Sequence, residues 1–359
     1  MKKILVDGMP SNFGGIGTIV FNIIDNIKGD FVFEFIETYP FTYRDQVERR
    51  GIKTHKLPPF RKNPFKYYHA LKKLLKENKY DYVWVNNTSK VNVKIFEYAK
   101  KYGAKTIAHS HGNKCEGNKL VVAAMETLSR LNERKFYKNL DIACACSKKS
   151  ADYFYNEKKL KGKPVHVINN AIDVKKYAYN EAVRIAKRKE LGLKDEVAIG
   201  MVGRLTPIKN PFFMLGVLSA LPDGYKLYFV GEGPLLLETE QAVAQKGLEN
   251  KVVMLGKRSD VNELMQAFDF LALPSFNEGM PLVAVEAQTS GAHCIVSDTL
   301  TKEMNITGNV VYAKLNDVDD WVEKITAQVG YDRCDCSSIV AENKFSIDKI
   351  AEEFAGLLQ

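Results

Sequence analysis

The run Pro274-Ser275-Phe276-Asn277-Glu278-Gly279-Met280-Pro281-Leu282-Val283-Ala284-Val285-Glu286-Ala287 holds two carboxylates in unlike settings. Glu278 falls in a glycine turn after a short apolar run, Phe270–Leu273, that reads as a strand. Glu286 falls inside an otherwise apolar helical stretch that opens near Pro281, a residue suited to the first helical position. A carboxylate in apolar surroundings needs hydrogen-bond donors, because burying it unpaired is costly. Ribose hydroxyls are suitable donors. The amides around Gly279–Leu282, at a helix start, suit a diphosphate.

Three further clusters share the order strand, glycine turn, helix. Gly203-Arg204-Leu205-Thr206-Pro207-Ile208-Lys209-Asn210-Pro211 follows the apolar run Val197–Val202. Arg204 and Lys209 therefore stand at the carboxyl end of a parallel strand, where ligands of such sheets bind. Two cations beside a helix start suit a diphosphate. Gly231-Glu232-Gly233-Pro234 repeats the order, although by itself it is common loop chemistry. Asn12-Phe13-Gly14-Gly15-Ile16-Gly17 follows Ile4–Val6; its glycines let backbone approach a phosphate, but a tight turn alone would also account for them. It is neither G-x-G-x-x-G nor a P-loop, since no third glycine and no Gly-Lys-Ser/Thr follows. His109 and His111 flank Ser110 at the end of another strand-like run, Thr106–His109, placed to reach a substrate or to serve the core.

These clusters need a scaffold, and the chain supplies two. Strands are expected at Ile4–Val6, Phe31–Ile36, Tyr82–Val85, Thr106–His109 and Ile142–Cys146, with helices at Pro64–Glu77, Val91–Tyr102 and Lys119–Tyr137. A polar, weakly patterned stretch from Lys175 to Lys194 follows. A second series then has strands at Val197–Val202, Lys226–Val230, Val252–Leu255, Phe270–Leu273 and His293–Ser297, with helices at Pro211–Leu221, Leu235–Lys246 and Pro281–Thr289. Such alternation argues for parallel sheets covered on both faces. The expected domains are residues 1–168, joined by a last amphipathic helix at 346–359 with Ser346 as its N-cap, and residues 169–345.

With 359 residues, 45% apolar and 26% charged, the chain has the composition of a two-domain globular protein. No apolar run is long enough to span a membrane, and the stretch interrupted by Asp7 is too short for a signal peptide. The six cysteines, two pairs of them spaced C-x-C, are expected to be reduced thiols. Asp317-Val318-Asp319 has the letters of a metal-binding D-x-D but opens a helix-like segment, so N-capping is the expected role. Charge is polarised: residues 1–165 carry net +16 and residues 166–359 net −7. The first half therefore suits something anionic, nucleic acid or a membrane surface, or is simply a solvated face.

Taken together the set resembles the retaining glycosyltransferases of the GT-B fold, family 4, of the kind that build bacterial capsular and exopolysaccharides. The E-x7-E pair Glu278 and Glu286 is its most specific element. Gly203-Arg204 with Lys209-Asn210, Gly231-Glu232-Gly233, Ala108-His109-Ser110-His111, Asn169-Asn170-Ala171-Ile172-Asp173 and Gly14-Gly15 accompany it in order along nearly the whole chain.

The resemblance implies an α/β chain of two Rossmann-like parallel-sheet domains facing a cleft, the last helix crossing back to the first domain. It implies that Glu286 binds ribose hydroxyls and that Glu278 meets the transferred sugar. Arg204 and Lys209 would neutralise the diphosphate, while Gly203, Gly279, Met280 and Pro281 line the donor. Gly15, with Gly14 beside it, would approach the diphosphate; Glu232 is a further candidate. His111 would contact the sugar near the reacting centre, with His109 its rival. The implied reaction is a metal-independent hexosyl transfer with no cofactor. The donor is a nucleotide sugar, uridine first and guanosine second. The acceptor is a saccharide or a lipid-diphosphate-linked saccharide at the inner face of the cytoplasmic membrane, with no nucleic-acid partner. A nucleotide-sugar epimerase of the same fold is the competing activity; a nicotinamide-dependent dehydrogenase conflicts with the missing third glycine.

Overall fold

The computed structural model describes residues 1–87, 89–111 and 119–359. The chain forms two compact units, Met1–Ala171 with Ile347–Gln359, and Ile172–Ser346.

The first unit is built on seven parallel strands: β1 (Lys2–Asp7), β2 (Phe31–Glu37), β3 (Lys53–Lys56), β4 (Tyr82–Asn87), β5 (Lys105–Ser110), β6 (Ile142–Ala145) and β7 (Val165–Val167). Their order is β3-β2-β1-β4-β5-β6-β7. The second has six, β8 (Val197–Val202), β9 (Tyr225–Val230), β10 (Val252–Gly256), β11 (Phe270–Leu273), β12 (His293–Ser297) and β13 (Val310–Ala313), in the order β10-β9-β8-β11-β12-β13. Each sheet thus reverses direction beside its first strand. In such sheets the crevice between the two neighbours at that switch point, β1 and β4 or β8 and β11, is where ligands bind.

The central strands are almost wholly apolar because helices cover both faces. Ile4, Leu5 and Val6 are fully buried, as are Phe270 and Ala272. Two cores flank each sheet. The helix Pro64–Glu77 buries Tyr67, Leu71, Leu74 and Leu75. Lys62, Lys66, Lys72, Lys73 and Lys76 are exposed, as an amphipathic reading expects. Phe65 is not part of the apolar side: it is 88% exposed, because it sits in the first turn, ahead of the buried stripe.

The helix Ile347–Leu357 belongs to the first unit. Ile350, Phe354 and Leu358 are buried in one of its cores, with Phe354 4.4 Å from Trp84 between ring centroids. Several elements differ from expectation. β3, Lys-Thr-His-Lys, has no apolar alternation to announce it, being a short edge strand. The stretch Lys175–Lys194 contains a ten-residue helix, Glu181–Glu190, started by Asn180 as N-cap. The expected helix from Val91 begins only at Lys94. Asp317 accepts a hydrogen bond from the Asp320 amide at 3.1 Å and so caps Val318–Ala327. Cys144, Cys146, Cys294, Cys334 and Cys336 are free thiols, while Cys115 lies outside the described residues.

Candidate active site

In the second unit the loops after β8, β9 and β11 interlock. Gly203 leaves β8 at φ +141°, and its amide donates to the Val230 carbonyl at 2.9 Å. Gly231 leaves β9 at φ +132°, so close to this turn that a Cβ there would lie 2.2 Å from the Gly203 oxygen. Glycine is therefore required by the protein's own backbone at Gly231. The Phe276 amide donates to the Ile208 carbonyl at 2.9 Å, which ties the β11 loop to the β8 loop.

This tie brings Lys209 and Glu278 together. Lys209 ends a short 3₁₀ turn, Pro207–Lys209, and Asn210 turns the chain through φ +56° into the helix Pro211–Ala220. The Lys209 ammonium donates to both Glu278 oxygens at 2.8 Å each. Ser275 donates to Glu278 Oε1 at 2.6 Å. An ammonium has three N–H groups, so Lys209 keeps one for a further acceptor. Arg204 is exposed and makes no ion pair among the described residues. Glu232 and Gly279 are exposed at the same loops, and Met280 is half-buried.

Glu286 lies on the helix Leu282–Thr289. Pro281 is the N-cap of this helix rather than its first residue, since its ψ of 100° is extended. No side chain caps the helix and no acid stands in its first turn, so its first amides are available to an anion. Burial pushes the Glu286 carboxyl up to about 7, against a hydrogen bond from Tyr177 and the charge of Lys176, which pull it down. Tyr177 ends the short helix Val174–Tyr177.

In the first unit, Gly14 is the N-cap and Gly15 the first residue of the helix Gly15–Asn26. Both are exposed, and a Cβ on either would meet nothing within 4 Å. His109 is fully buried, its ring 6.0 Å from Trp84 and 4.1 Å from His111. Burial, then the neighbouring His111, holds its basicity far below the usual range. His111 is half-buried, with Nε2 2.8 Å from Asn86 Oδ1. The Asn86 amide nitrogen donates to the Asp7 carbonyl at 3.3 Å, which turns Oδ1 toward His111. Nε2 is therefore the protonated nitrogen of a neutral ring, whose pKa burial lowers to about 3. Gly112 lies outside the described residues.

The sequence pattern of the family described as "Glycosyltransferase Family 4" matches residues 13–176, and that of "Glycosyl transferases group 1" matches residues 183–329. The Escherichia coli UDP-Gal:alpha-D-GlcNAc-diphosphoundecaprenol alpha-1,3-galactosyltransferase is 31% identical over 282 residues, 71% of this chain and 68% of that one. The chain is a family 4 glycosyltransferase. EpsF of Bacillus subtilis, provisionally named a glycosyltransferase, is 28% identical over 90% of this chain and 87% of its own. Among solved structures, Anabaena HepE in complex with UDP superposes with a TM-score of 0.76 at 19% identity, over 100% of this chain and 99% of that chain. A glycosyltransferase from Rickettsia africae gives 0.79 at 17%, over 99% and 97%. The fold of the glycosyltransferase is GT-B.

Sequence reasoning named the residues of this enzyme's β8 and β11 loops but not what holds them. Ser275 stands three residues before Glu278 in the same turn, a spacing that could have marked it. Tyr177 is more than a hundred residues from Glu286, and nothing in its own neighbourhood points there. Glu278 and Lys209 are brought into contact; Glu286, which reaches Tyr177, is not in that ion pair.

Proposed function

We propose that this glycosyltransferase moves a hexosyl unit from a UDP-sugar to a saccharide or lipid-diphosphate-linked saccharide, with retained configuration and without a metal ion, in surface polysaccharide biosynthesis. The observation that carries this reading is the Lys209–Glu278 pair at the β8/β11 switch point, beside an uncapped helix start. A group that binds the sugar and a cation for the diphosphate are held in one contact. Relatives point the same way: HepE is solved with UDP and with UDP-glucose, and the E. coli enzyme is named for a UDP-sugar and a diphosphoundecaprenol-linked acceptor.

In this reading Glu286 accepts from the ribose hydroxyls, replacing its bond from Tyr177. Glu278 accepts from hydroxyls of the transferred sugar. Gly203, Gly279, Met280 and Pro281 line the donor with backbone, while Gly15, with Gly14, and Glu232 flank the nucleotide. As the bond from the anomeric carbon to the diphosphate breaks, the acceptor oxygen bonds that carbon on the same face and passes its proton to an oxygen of the leaving diphosphate. The leaving diphosphate gathers charge, and Arg204, the free N–H of Lys209 and the first amides of Leu282–Thr289 stabilise it. His111, neutral and partly exposed, accepts from a sugar hydroxyl through Nδ1, its Nε2 proton being held by Asn86; fully buried His109 supports it from behind. Two side-chain cations do the work a divalent ion does elsewhere. Exposed Lys62, Lys66, Lys72, Lys73 and Lys76, with Phe65, hold the enzyme at an anionic cytoplasmic leaflet.

A thermal-shift screen of nucleotide sugars tests the donor, because a ligand at 100 times its Kd stabilises by roughly 2.7 kcal/mol. UDP-sugars should shift the transition and transfer should persist in excess chelator. A shift with GDP-sugars alone, or activity that chelation abolishes and manganese restores, overturns the corresponding part. Sedimentation with phosphatidylglycerol vesicles, weakening with salt, checks the membrane assignment; equal binding to neutral vesicles removes it.

A further inference from the structure

Two cysteines of the second unit have no part in the donor site. Cys334 and Cys336 stand either side of Asp335, in the turn that enters the helix Ser337–Val340, with Cys336 as its N-cap. Their sulfurs lie 3.6 Å apart, and Asn309 Nδ2 donates to Cys336 Sγ at 3.8 Å. Cys334 is exposed, whereas Cys336 is buried. Burial, then its contact with Cys334, pushes the Cys336 thiol up, which leaves Cys334 as the sulfur that meets reagents first. The pair of the same spacing in the first unit differs, since Cys144 is wholly inside a core. An exposed thiol touching a buried one suits a disulfide made in two steps, exchange from solvent and then closure from within.

The chain on the two sides of the pair is held unequally. Before it, Arg333 donates to the Met265, Gln266, Phe268 and Ser290 carbonyls. A Cβ on Gly291 would lie 2.0 Å from the Cys334 oxygen, so the backbone there is closely packed. After it, the turn is held through Asp335. This carboxylate accepts from the Ser337 amide and hydroxyl at 3.0 Å each, and from the Tyr179 amide at 3.4 Å. A disulfide shortens the sulfur separation from 3.6 Å to about 2.05 Å and turns the Asp335 peptide between the two residues. With the Arg333 side pinned, the movement falls on the Cys336 side, where Asp335 gives up its bonds. Tyr179 stands two residues after Tyr177, the partner of Glu286. Val340, Val174 and Val285 pack in one cluster, so the helices carrying Tyr177 and Glu286 both rest on the helix that Cys336 starts.

We propose that Cys334 and Cys336 form a thiol–disulfide exchange site for small disulfides, and that closing it loosens residues 174–180 and with them the hold of Tyr177 on Glu286. Cys334 Sγ displaces one thiol from the small disulfide and forms a mixed disulfide with the other half. Cys336 Sγ then bonds Cys334 Sγ, and the second thiol leaves. Each departing thiol carries away the proton of one cysteine, and the small disulfide takes up the two electrons. Asn309 faces Cys336 with a donor as charge develops on its sulfur. The exchange rests on the thiol geometry alone; its effect on a nucleotide rests on the reading of Glu286 as a ribose ligand.

Oxidised glutathione is the probe. Mass spectrometry of digested wild-type protein should find the peptide containing both cysteines two hydrogens lighter and free of glutathione, and reductant should restore it. Cys336→Ser should stop with one glutathione on Cys334, and Cys334→Ser should leave Cys336 unmodified. Exposed Cys334→Ser covers the case in which the Cys336 variant fails to fold. No reaction at the wild-type pair, or glutathione retained on its Cys334, overturns the site. Hydrogen exchange reads the second half without any nucleotide: amides of residues 174–180 should exchange about fivefold faster in the oxidised protein, the scale of one lost hydrogen bond. Equal rates remove the coupling. Calorimetry with UDP on the same two samples should show affinity falling about threefold on oxidation. Faster exchange with unchanged affinity overturns the hold on Glu286. Reduced protein that ignores UDP breaks the uridine assignment, and the mass and exchange results then judge the thiol pair alone.

Discussion

The β8/β9/β11 loops and the loops at the end of the first sheet do comparable work with opposite construction. Around β8 and β9 the glycines are demanded by the protein: a side chain at Gly231 would strike the Gly203 carbonyl, and at Gly233 the Leu205 carbonyl at 2.2 Å. One pair of charges there is already in contact, Lys209 with Glu278. At Gly14 and Gly15 nothing of the described protein is within reach of a Cβ, and the nearby histidines are held neutral. The second unit therefore fixes the geometry of these loops in its own backbone. At Gly15 the described fold leaves room for a side chain.

The largest effect that would sharpen this contrast is catalytic. Arg204→Ala and Lys209→Ala should each cut turnover by about 10²–10³-fold, the scale of removing one stabiliser of transition-state charge. The Lys209 variant also leaves Glu278 with Ser275 alone. Steady-state nucleotide release measures it, and near wild-type rates in both variants would remove the pair from the reaction.

Next comes stability. Gly231→Ala should lose about 2–3 kcal/mol in urea unfolding, from positive φ and backbone collision together. Gly15→Ala, at a helix start with open space around it, should stay within about 0.5 kcal/mol of wild type while losing activity. Equal destabilisation by the two substitutions would erase the comparison.

Smaller effects concern Glu286. Its carboxyl titrates near 7, so UDP affinity should rise between pH 6 and pH 8 as the ionised form becomes available to the ribose. Glu286→Gln should bind UDP about tenfold more weakly, with that pH dependence gone. Calorimetry at the two pH values decides it. The folded pKa lies above the usual carboxylate value, so this group's contribution to the unliganded fold is present at low pH and is lost as pH rises through 7. Ligand affinity and unliganded stability should then run in opposite directions. Smallest is Tyr177→Phe: with the hydrogen bond gone the Glu286 pKa moves further up, and the affinity rise shifts to higher pH. An unmoved profile would mean that Tyr177 does not hold the carboxylate.

Much of this was legible in the sequence because the buried parallel strands are short, mostly apolar runs ended by a glycine, a proline or a polar residue. Val197–Val202, Phe270–Leu273 and His293–Ser297 have the limits the sequence suggests. The edge strand β3 was not, since an edge needs fewer apolar residues and Lys-Thr-His-Lys carries none. At the site, local order showed Glu278, Arg204 and Lys209, because each stands beside its own glycine turn or helix start, and Glu286, because it interrupts an apolar helix. Contacts between distant segments were out of reach: Tyr177 with Glu286, or Asp335 with the Tyr179 amide.

The helix Ile347–Leu357 also fixes an order of events during synthesis. Most of the first unit is made before the second, yet Phe354 and Leu358, wholly buried in its core, are made after it. Until then, Trp84 and the neighbouring side chains of the helix Gly15–Asn26 face solvent without their cover. The whole second unit is made in that interval. A chain stalled before Ile347 therefore lacks the side chains that cover this face of its first unit, however complete the sheet beneath it.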